Sequence, residues 1–354
     1  NVVSKIVCIV LTLFICVATC MGGYYISKTQ NVLSNITNVA KHAKNTVSVI
    51  VKESSSIKNK SQLNDVSVGS LRLNEQGSKK VLKELSGEGI VLNQTEYDSM
   101  TALLEAFYNG EVDSIIINES SRSQILDMEA YSNFDSNTRV VYQTSYKVKN
   151  NDSATSVSDI TSKPFNVLIS GSDTRGGFDE NGRSDVIMIA TVNPKTHTIL
   201  LTSVPRDFYV TTACDAGDGC MQGALDKITH TGIHGTNTTK RTVEQLLGIE
   251  INYTFKVGFD TVTELVDVLG GVDVYVEPGY ATTTSEFSVH EGVNHLNAQQ
   301  ALAFARERYS YTEGDRQRTK NQQQVLMGIV KEATKPSVIT NYAAIMDTMA
   351  NTFS

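Results

Sequence analysis

The sequence contains no tryptophan and only five prolines among its 354 residues. Basic residues are also few: 31 lysines and arginines face 38 aspartates and glutamates, which gives a formal net charge of −7. General nucleic-acid binders need a basic excess to displace counterions, so the charge balance argues against nucleic acid as a partner. A hydrophobic share of 40% and a charged share of 19% exclude wholesale disorder and collagen-like repeats.

Three common catalytic signatures are missing as well. The chain has no G-x-x-x-x-G-K-[ST] phosphate loop, no G-x-S-x-G nucleophile elbow and no H-E-x-x-H zinc motif. His230 and His234 are four residues apart, but Gly232 lies between them and we assign no local carboxylate to them. We therefore do not expect zinc at these histidines.

The first residues contain the one long apolar run. Ile6–Ile26 has 21 residues without a charge, or ~31 Å as a helix, enough to cross the hydrocarbon core of a bilayer. The alternative is a cleaved signal peptide, whose apolar region is normally ~7–15 residues long and precedes a small-residue cleavage site. We favour a transmembrane helix over residues 1–27, with Lys5 on the cytoplasmic side. Because the chain starts with Asn1, we expect sequence before it, and the number of spans stays open.

Cysteine usage is consistent with an exported body. Cys8, Cys16 and Cys20 lie inside the apolar run, where we interpret them as small apolar residues. Cys214 and Cys220 bracket a loop with two glycines, so an oxidising compartment would let them form a disulfide. A zinc site would need two further ligands nearby.

The exported part divides into two α/β domains by its composition. We predict a polar stalk over residues 28–57, a small domain over 58–150, a polar linker over 151–164 and a second domain over 165–354 that continues beyond Ser354. The small domain resembles one lobe of a periplasmic solute-binding protein; we favour the alternative, a small accessory α/β domain. In the second domain, near-continuous apolar strands alternate with helices, which predicts an α/β/α sandwich with a mixed central sheet.

One edge of that sheet is expected to collect charged side chains. Asp173 follows a first strand over 165–169, and the short turn at Asn193 makes the next two strands an antiparallel hairpin. If the first two strands are also antiparallel, Asp185 precedes the second strand at the same edge, where Arg206 follows the third. The alternative for such charges is ordinary surface salt bridges.

A second group of charges lies near the end of the chain. Asp315, Arg318 and Gln322 are spaced i, i+3 and i+7, on one stripe of a predicted helix, and Arg306 and Arg308 end the helix before it. Arginine forks and helix N-termini bind phosphate oxygens, and a pair of aspartates holds Mg²⁺ against phosphates. Both groups together predict a site for a diphosphate ligand. Lys227 is either another phosphate contact or a surface lysine.

Eight segments of the sequence resemble the LytR–CpsA–Psr (LCP) family, in their order and spacing over residues 165–335, and most of all its capsular-polysaccharide members. The front domain resembles the accessory domain of those members. The matching segments are SDTRG (172–176), RSDVIM (183–188), SVPRD (203–207), LDKITH (225–230), GGVDV (270–274), LNAQQAL (296–302), ARER (305–308) and GDRQRTKNQ (314–322).

The resemblance implies a membrane-anchored phosphotransferase of the Gram-positive cell wall, with its catalytic domain outside the cell. It would move a capsular or other anionic glycopolymer from a polyprenyl-pyrophosphate carrier onto peptidoglycan; capsule-assembly proteins are further possible partners. Two alternatives stay open: a non-enzymatic, polymer-binding regulator of capsule synthesis, and a hydrolase of the same pyrophosphate.

Site residues follow from the resemblance position by position. Asp173 and Asp185 would hold Mg²⁺, with Mn²⁺ as the alternative, and Asp173 is grouped with Arg206 and Arg306 as catalytic. The lipid tail implies an apolar pocket, for which Val325, Leu326 and Ile329 are candidates, with core packing as the alternative. No general base for the acceptor hydroxyl is evident. The residues expected to bind the pyrophosphate are Arg206, Lys227, Arg306, Arg308, Arg318 and Gln322, with Asp315 orienting the arginines.

Overall fold

The computed structural model describes residues 2–39, 42–149, 157–172, 180–215, 219–336, 338, 342, 344–346 and 348. The chain forms two compact units, one made of Asn1–Val39 with Phe259–Ser354 and the other of Ala40–Gly258. Each is described by itself below.

Helices and strands of the described residues are numbered in chain order. The helices are α1 Val2–Val39, α2 Glu75–Gly87, α3 Met100–Asn109, α4 Arg122–Leu126, α5 Phe134–Asn137, α6 Thr236–Leu247, α7 Phe259–Leu269, α8 Ala298–Arg306 and α9 Asp315–Ala333. The strands are β1 His42–Lys52, β2 Val66–Leu71, β3 Leu92–Tyr97, β4 Ser114–Asn118, β5 Thr138–Lys149, β6 Phe165–Ser172, β7 Val186–Asn193, β8 Thr198–Ser203, β9 Tyr209–Thr211, β10 Leu225–Lys227, β11 Tyr253–Gly258, β12 Val272–Val276, β13 Thr282–Thr283, β14 Ser288–Val289 and β15 Gly292–Leu296.

The front half of the unit 40–258 is a five-stranded sheet in the order β3-β2-β4-β1-β5. β2 runs parallel to β3 and β4, whereas β1 is antiparallel to β4 and β5. One buried cluster joins Phe107 of α3 to Ile115 and Ile117 of β4, and a second joins Val81 of α2 to Ile116. Because Ile116 alternates with its two neighbours along the strand, the two clusters lie on opposite faces of the sheet.

Residues 28–57, which were predicted to be a stalk, contain the end of α1 and strand β1. α1 continues to Val39, and residues 42–52 form a strand paired on both sides, with Val47, Val49 and Val51 fully buried. The segment looked like a stalk because Ser, Thr, Asn and Lys surround its valines. Its partners, β4 and β5, are distant in sequence.

The rear half of the same unit holds a four-stranded mixed sheet in the order β11-β6-β7-β8. β6 is parallel to β11 and antiparallel to β7, and β7 is antiparallel to β8, as the hairpin prediction required. Leu168, Ile187 and Ile189 pack with Val243 of α6 in one core. The predicted mixed α/β fold class is confirmed.

The unit that contains residues 259–354 is built around α7, α8, α9 and the antiparallel pair β12–β15. Its core joins Val266 of α7, Phe304 of α8 and Val325 of α9 to the strands. A capping box of Asn297 and Gln300 fixes the start of α8. In α1 of the same unit, Leu11–Val32 is long and apolar enough to cross a membrane, by length and composition.

Candidate functional site

Asp185 and Arg206 form a short ion pair at one edge of the four-stranded sheet. Arg206 Nη1 donates to Asp185 Oδ1 at 2.7 Å, and Thr229 Oγ1 lies 3.5 Å from the same oxygen. The side chains of Asp185 and Arg206 are 10% and 20% exposed, so solvent screens this pair less than a surface pair. The pair exists because β7 begins directly after Asp185 and β8 ends shortly before Arg206, on the same sheet edge.

Backbone bonds hold this edge to the segment that follows β10. Ser184 N–H donates to Thr229 O at 2.9 Å, and Thr229 N–H donates to Arg206 O at 3.1 Å. Ser184 Oγ also lies 2.9 Å from Ser170 Oγ of β6. Gly232 permits this packing, because a Cβ there would lie 2.4 Å from Ser184 Oγ and 2.5 Å from Gly182 O.

Lys227 approaches the same edge across the β9–β10 pair. Its Nζ lies 3.6 Å from Asp207 Oδ1, and Asp207 Oδ2 is 3.7 Å from Arg206 Nε. Both side chains are about half exposed, so these are loose surface contacts. We call Asp185, Arg206, Asp207 and Lys227 the first polar cluster.

A contact between Asp226 and His230, next to Lys227, supports strand β10. His230 Nδ1 lies 2.8 Å from Asp226 Oδ1, which corrects the sequence-based view that no carboxylate accompanies His230. Burial alone would raise the pKa of Asp226, but the hydrogen bond and charge of His230 lower it overall. We interpret this pair as structural support for residues 225–230.

A divalent cation is implied by the family resemblance, and one atom of the first polar cluster fits it. Asp185 Oδ2 is buried and has no hydrogen-bond partner among the residues that the structure describes. An unpaired, buried carboxylate oxygen is costly unless a cation or water satisfies it. The other predicted ligand, Asp173, lies outside the described residues. Within the described residues, no group of three or more His, Cys, Asp or Glu side chains could hold a metal.

The second polar cluster, Arg306, Arg308, Asp315, Arg318 and Gln322, belongs to the other unit. Arg318 Nη2 lies 2.6 Å from Asp315 Oδ1, one helical turn apart on α9, and Arg318 is only 12% exposed. Arg308 Nη2 donates to Tyr309 Oη at 2.6 Å, and its guanidinium lies 4.7 Å from the ring centroid of Tyr309. Arg306 is exposed at the end of α8.

Two buried amides on α9, neither of them among the predicted site residues, position this cluster. Asn321 Nδ2 donates to Phe304 O at 3.1 Å, near the end of α8, and Gln317 Nε2 donates to Asn321 Oδ1 at 3.0 Å. These bonds tie the end of α8, which leads into Arg306 and Arg308, to the helix of Arg318. In the sequence, the only sign of Gln317 and Asn321 is that polar residues occupy core positions of α9.

For the three residues predicted to line a lipid pocket, core packing is the better interpretation. Val325 is 3% exposed and belongs to the core of its unit, and Ile329 packs against the same cluster. Leu326 is partly buried.

The structure brings Asp185, Arg206 and Lys227 together in one unit, and Asp315 and Arg318 together in the other. Whether both clusters act on one ligand stays a prediction.

Cys214 and Cys220 are joined by a disulfide bond.

Comparisons with known proteins identify relatives of this chain. Residues 130–354 match the model of the LytR_cpsA_psr family, which is more than half of the chain. A polyisoprenyl-teichoic acid–peptidoglycan teichoic acid transferase, TagU, of Bacillus cereus (strain AH820) is 32% identical over 220 residues, which are 61% of this chain and 69% of the relative. A TagU of Bacillus subtilis (strain 168) with the same full name is 35% identical over 189 residues, 53% of this chain and 58% of the relative.

The chain also matches solved structures. The crystal structure of Bacillus subtilis TagU aligns at 33% identity with a TM-score of 0.45, over 54% of this chain and 75% of that chain. This TM-score supports no conclusion of its own, so the family assignment rests on the sequence matches.

Proposed function

The chain belongs to the LytR_cpsA_psr family, and from this premise we propose that it is a phosphotransferase that attaches a glycopolymer to peptidoglycan. The proposed donor is the polymer linked to polyprenyl pyrophosphate, and the proposed acceptor is a hydroxyl of a peptidoglycan sugar. Relatives named as transferases of polyisoprenyl-linked teichoic acid support this substrate class. We further propose that the polymer is a capsular or another anionic glycopolymer, because the front domain resembles that of capsule-type members.

The observation that carries the proposal is the partly buried Asp185–Arg206 pair. In the proposed reaction, the acceptor oxygen forms a bond to the phosphorus that bears the sugar, and the bond from that phosphorus to the bridging oxygen breaks. The acceptor hydroxyl gives its proton to water, and polyprenyl phosphate leaves with the electron pair of the broken bond. Negative charge spreads over the phosphate oxygens, and fixed guanidinium groups stabilise that charge.

Both clusters contain residues that we propose as phosphate donors. Arg206 and Lys227 of the first polar cluster, and Arg306, Arg308, Arg318 and Gln322 of the second, would donate to phosphate oxygens. Asp185 and Asp315 fix the direction of Arg206 and Arg318 through contacts of 2.7 Å and 2.6 Å. A guanidinium held in this way loses less conformational entropy when it binds an anion.

We propose that Asp185, with Asp173, holds Mg²⁺, or Mn²⁺ in its place. When bound, a divalent cation would neutralise charge on the phosphate oxygens. The unpartnered Asp185 Oδ2 supports this assignment.

The proposed location is the cell membrane of a Gram-positive bacterium, with the catalytic part outside. The apolar stretch Leu11–Val32 of α1 supports a membrane anchor, since 22 helical residues extend over ~33 Å. The disulfide Cys214–Cys220 supports an oxidising, extracellular setting.

A transfer assay with the purified full chain in lipid nanodiscs tests the proposal. We expect labelled polymer to move from polyprenyl pyrophosphate to peptidoglycan, and Arg206→Ala to slow that transfer about 100-fold or more. The matched control is Arg122→Ala, because Arg122 is also partly buried and paired with two carboxylates, Glu119 and Asp135, away from the first polar cluster.

The products separate the alternatives. Polymer released into solution without acceptor would indicate hydrolysis, and tight binding without any product would favour a regulator. Wild-type transfer rates in Arg206→Ala would contradict the proposal.

A further inference from the structure

A cavity of about 330 Å³ lies within the unit 40–258, and its lining includes no residue of the first polar cluster. One wall is formed by the front domain, where Asn74, Asn118 and Tyr146 line it. The opposite wall belongs to the rear half and includes Cys220 and, from α6, Asn237. Its volume falls at the lower end of the ~300–1,000 Å³ typical of small-ligand pockets.

The two walls are tied together by specific contacts. Lys44 Nζ donates to Glu180 Oε1 at 3.0 Å, and Asn181 Nδ2 donates to Asn45 Oδ1 at 3.1 Å. Arg183 Nη1 donates to Asp127 Oδ2 at 2.7 Å. These contacts fix the two walls against each other, so the cavity is a defined part of this unit.

Side-chain amides dominate the polar lining, and their hydrogen-bonding capacity is incompletely used. Tyr146 Oη is 3.5 Å from Asn74 Oδ1 and 3.4 Å from Asn118 Oδ1, but a hydroxyl has one hydrogen and can donate fully to only one of them. Asn74 is only 8% exposed, and its Nδ2 has no partner among the described residues. The amides of the lining are Asn45, Asn74, Gln76, Asn118, Asn181 and Asn237.

The charged side chains of the lining are neutralised locally. Arg72 lies 3.1 Å from Asp98, Glu75 pairs with Lys79, and Asp215 pairs with Arg241. Arg72 also lies 3.7 Å from Glu96, so an anion would meet more acidic than basic groups, even though α2 and α6 both begin at this cavity. Amides and a tyrosine hydroxyl instead offer donors and acceptors together, which is what a sugar hydroxyl requires.

We propose that this cavity is a binding subsite for an uncharged sugar ring. The ring hydroxyls would pair with Asn74, Asn118 and Tyr146 on one wall and with Asn237 on the other. Such a sugar could come from the glycan acceptor or from the polymer. The proposal concerns binding alone, so it is tested independently of the transfer reaction.

Saturation-transfer difference NMR on the full chain in nanodiscs, free of sugar-headed detergent, tests the proposal. The probes are glucose, the β-1,4-linked disaccharide of N-acetylglucosamine, and inorganic phosphate. We expect saturable binding of at least one sugar and none of phosphate. Preference for the disaccharide would indicate an acceptor-type glycan, and preference for glucose a polymer sugar.

Two variants locate the binding. Tyr146→Phe keeps the ring but removes the hydroxyl, and we expect the affinity to fall about fivefold, the effect of one lost hydrogen bond. Asn237→Ala tests the opposite wall and should weaken binding similarly. Tyr142→Phe is the matched control: Tyr142 is on the same strand, but its hydroxyl donates to Glu84 at 2.8 Å, away from the lining.

Three results would overturn the proposal. They are the absence of sugar binding by the wild-type chain, phosphate binding in place of sugar, and unchanged affinity in both Tyr146→Phe and Asn237→Ala.

Discussion

At the residue scale, the two carboxylate oxygens of Asp185 have different surroundings. Oδ1 accepts from Arg206 at 2.7 Å, whereas Oδ2 is buried without a partner among the described residues. One oxygen thus orients a guanidinium while the other remains available for a cation. A neutral amide at this position would keep the shape but lose the charge needed for both.

Asp185→Asn should therefore slow transfer about 100-fold and raise the Mg²⁺ concentration needed for half-maximal rate. Transfer rates measured over a Mg²⁺ series check both effects. Asp135→Asn is the control, because Asp135 also accepts from an arginine, Arg122, at 2.7 Å but lies in the front domain. Rates within twofold of the wild type at every Mg²⁺ concentration would refute the role of Asp185.

At the element scale, the β12–β15 pair carries a titratable contact. His295 Nδ1 lies 2.9 Å from Asp273 Oδ1 on the neighbouring strand, and His295 Nε2 lies 3.2 Å from Gly270 O. The hydrogen bond to Asp273 raises the pKa of His295 above its usual 6.5, although slight burial acts in the opposite direction. The pair is exposed, so solvent limits its share of stability.

We expect Asp273→Asn to lower the pKa of His295, as measured by NMR titration of the ring. Because the folded pKa is raised, the stabilisation is fully present below pH ~6.5 and is lost as the pH rises through the folded value. The difference in unfolding free energy between wild type and variant should shrink over that window. Asp226→Asn, in the other His–Asp pair, should leave His295 unchanged; an unaltered His295 pKa in Asp273→Asn would contradict the assignment.

The disulfide bond also makes a measurable contribution to the free energy of unfolding. Closing the loop between Cys214 and Cys220 restricts the unfolded chain, which for a loop this short is worth about 2 kcal/mol. The double variant Cys214→Ser, Cys220→Ser should lose that amount of unfolding free energy in a denaturant titration. Substituting Cys8, Cys16 and Cys20 by Ser serves as the control and should have no such effect; an unchanged midpoint in the double variant would contradict the estimate.

Most elements were predictable from local sequence, because period-2 and period-3.6 patterns are local properties. The helix predicted to end near Arg306 is α8, and the Asn193 turn correctly indicated the β7–β8 hairpin. Strand β1 was missed, although its valines alternate over residues 47–51. Its burial depends on pairing with β4 and β5, which begin about 70 and 100 residues later.

At the scale of the whole molecule, local patterns predicted the two polar clusters but not the residues that surround them. The hairpin geometry was enough to bring Asp185 to Arg206. The partner of His230 and the buried amides Gln317 and Asn321 were not predicted, since these contacts depend on tertiary packing. The same holds for the amide-lined cavity, whose lining residues range in the sequence from Asn45 to Asn237.

The central proposal is that Arg206 binds the pyrophosphate of a lipid-linked polymer. The most direct measurement is an experimental structure of the full chain, purified from membranes and supplied with polyprenyl pyrophosphate and Mg²⁺. We predict diphosphate density within hydrogen-bonding distance of the guanidinium group of Arg206. Diphosphate bound elsewhere, with Arg206 making no contact to it, would contradict the account.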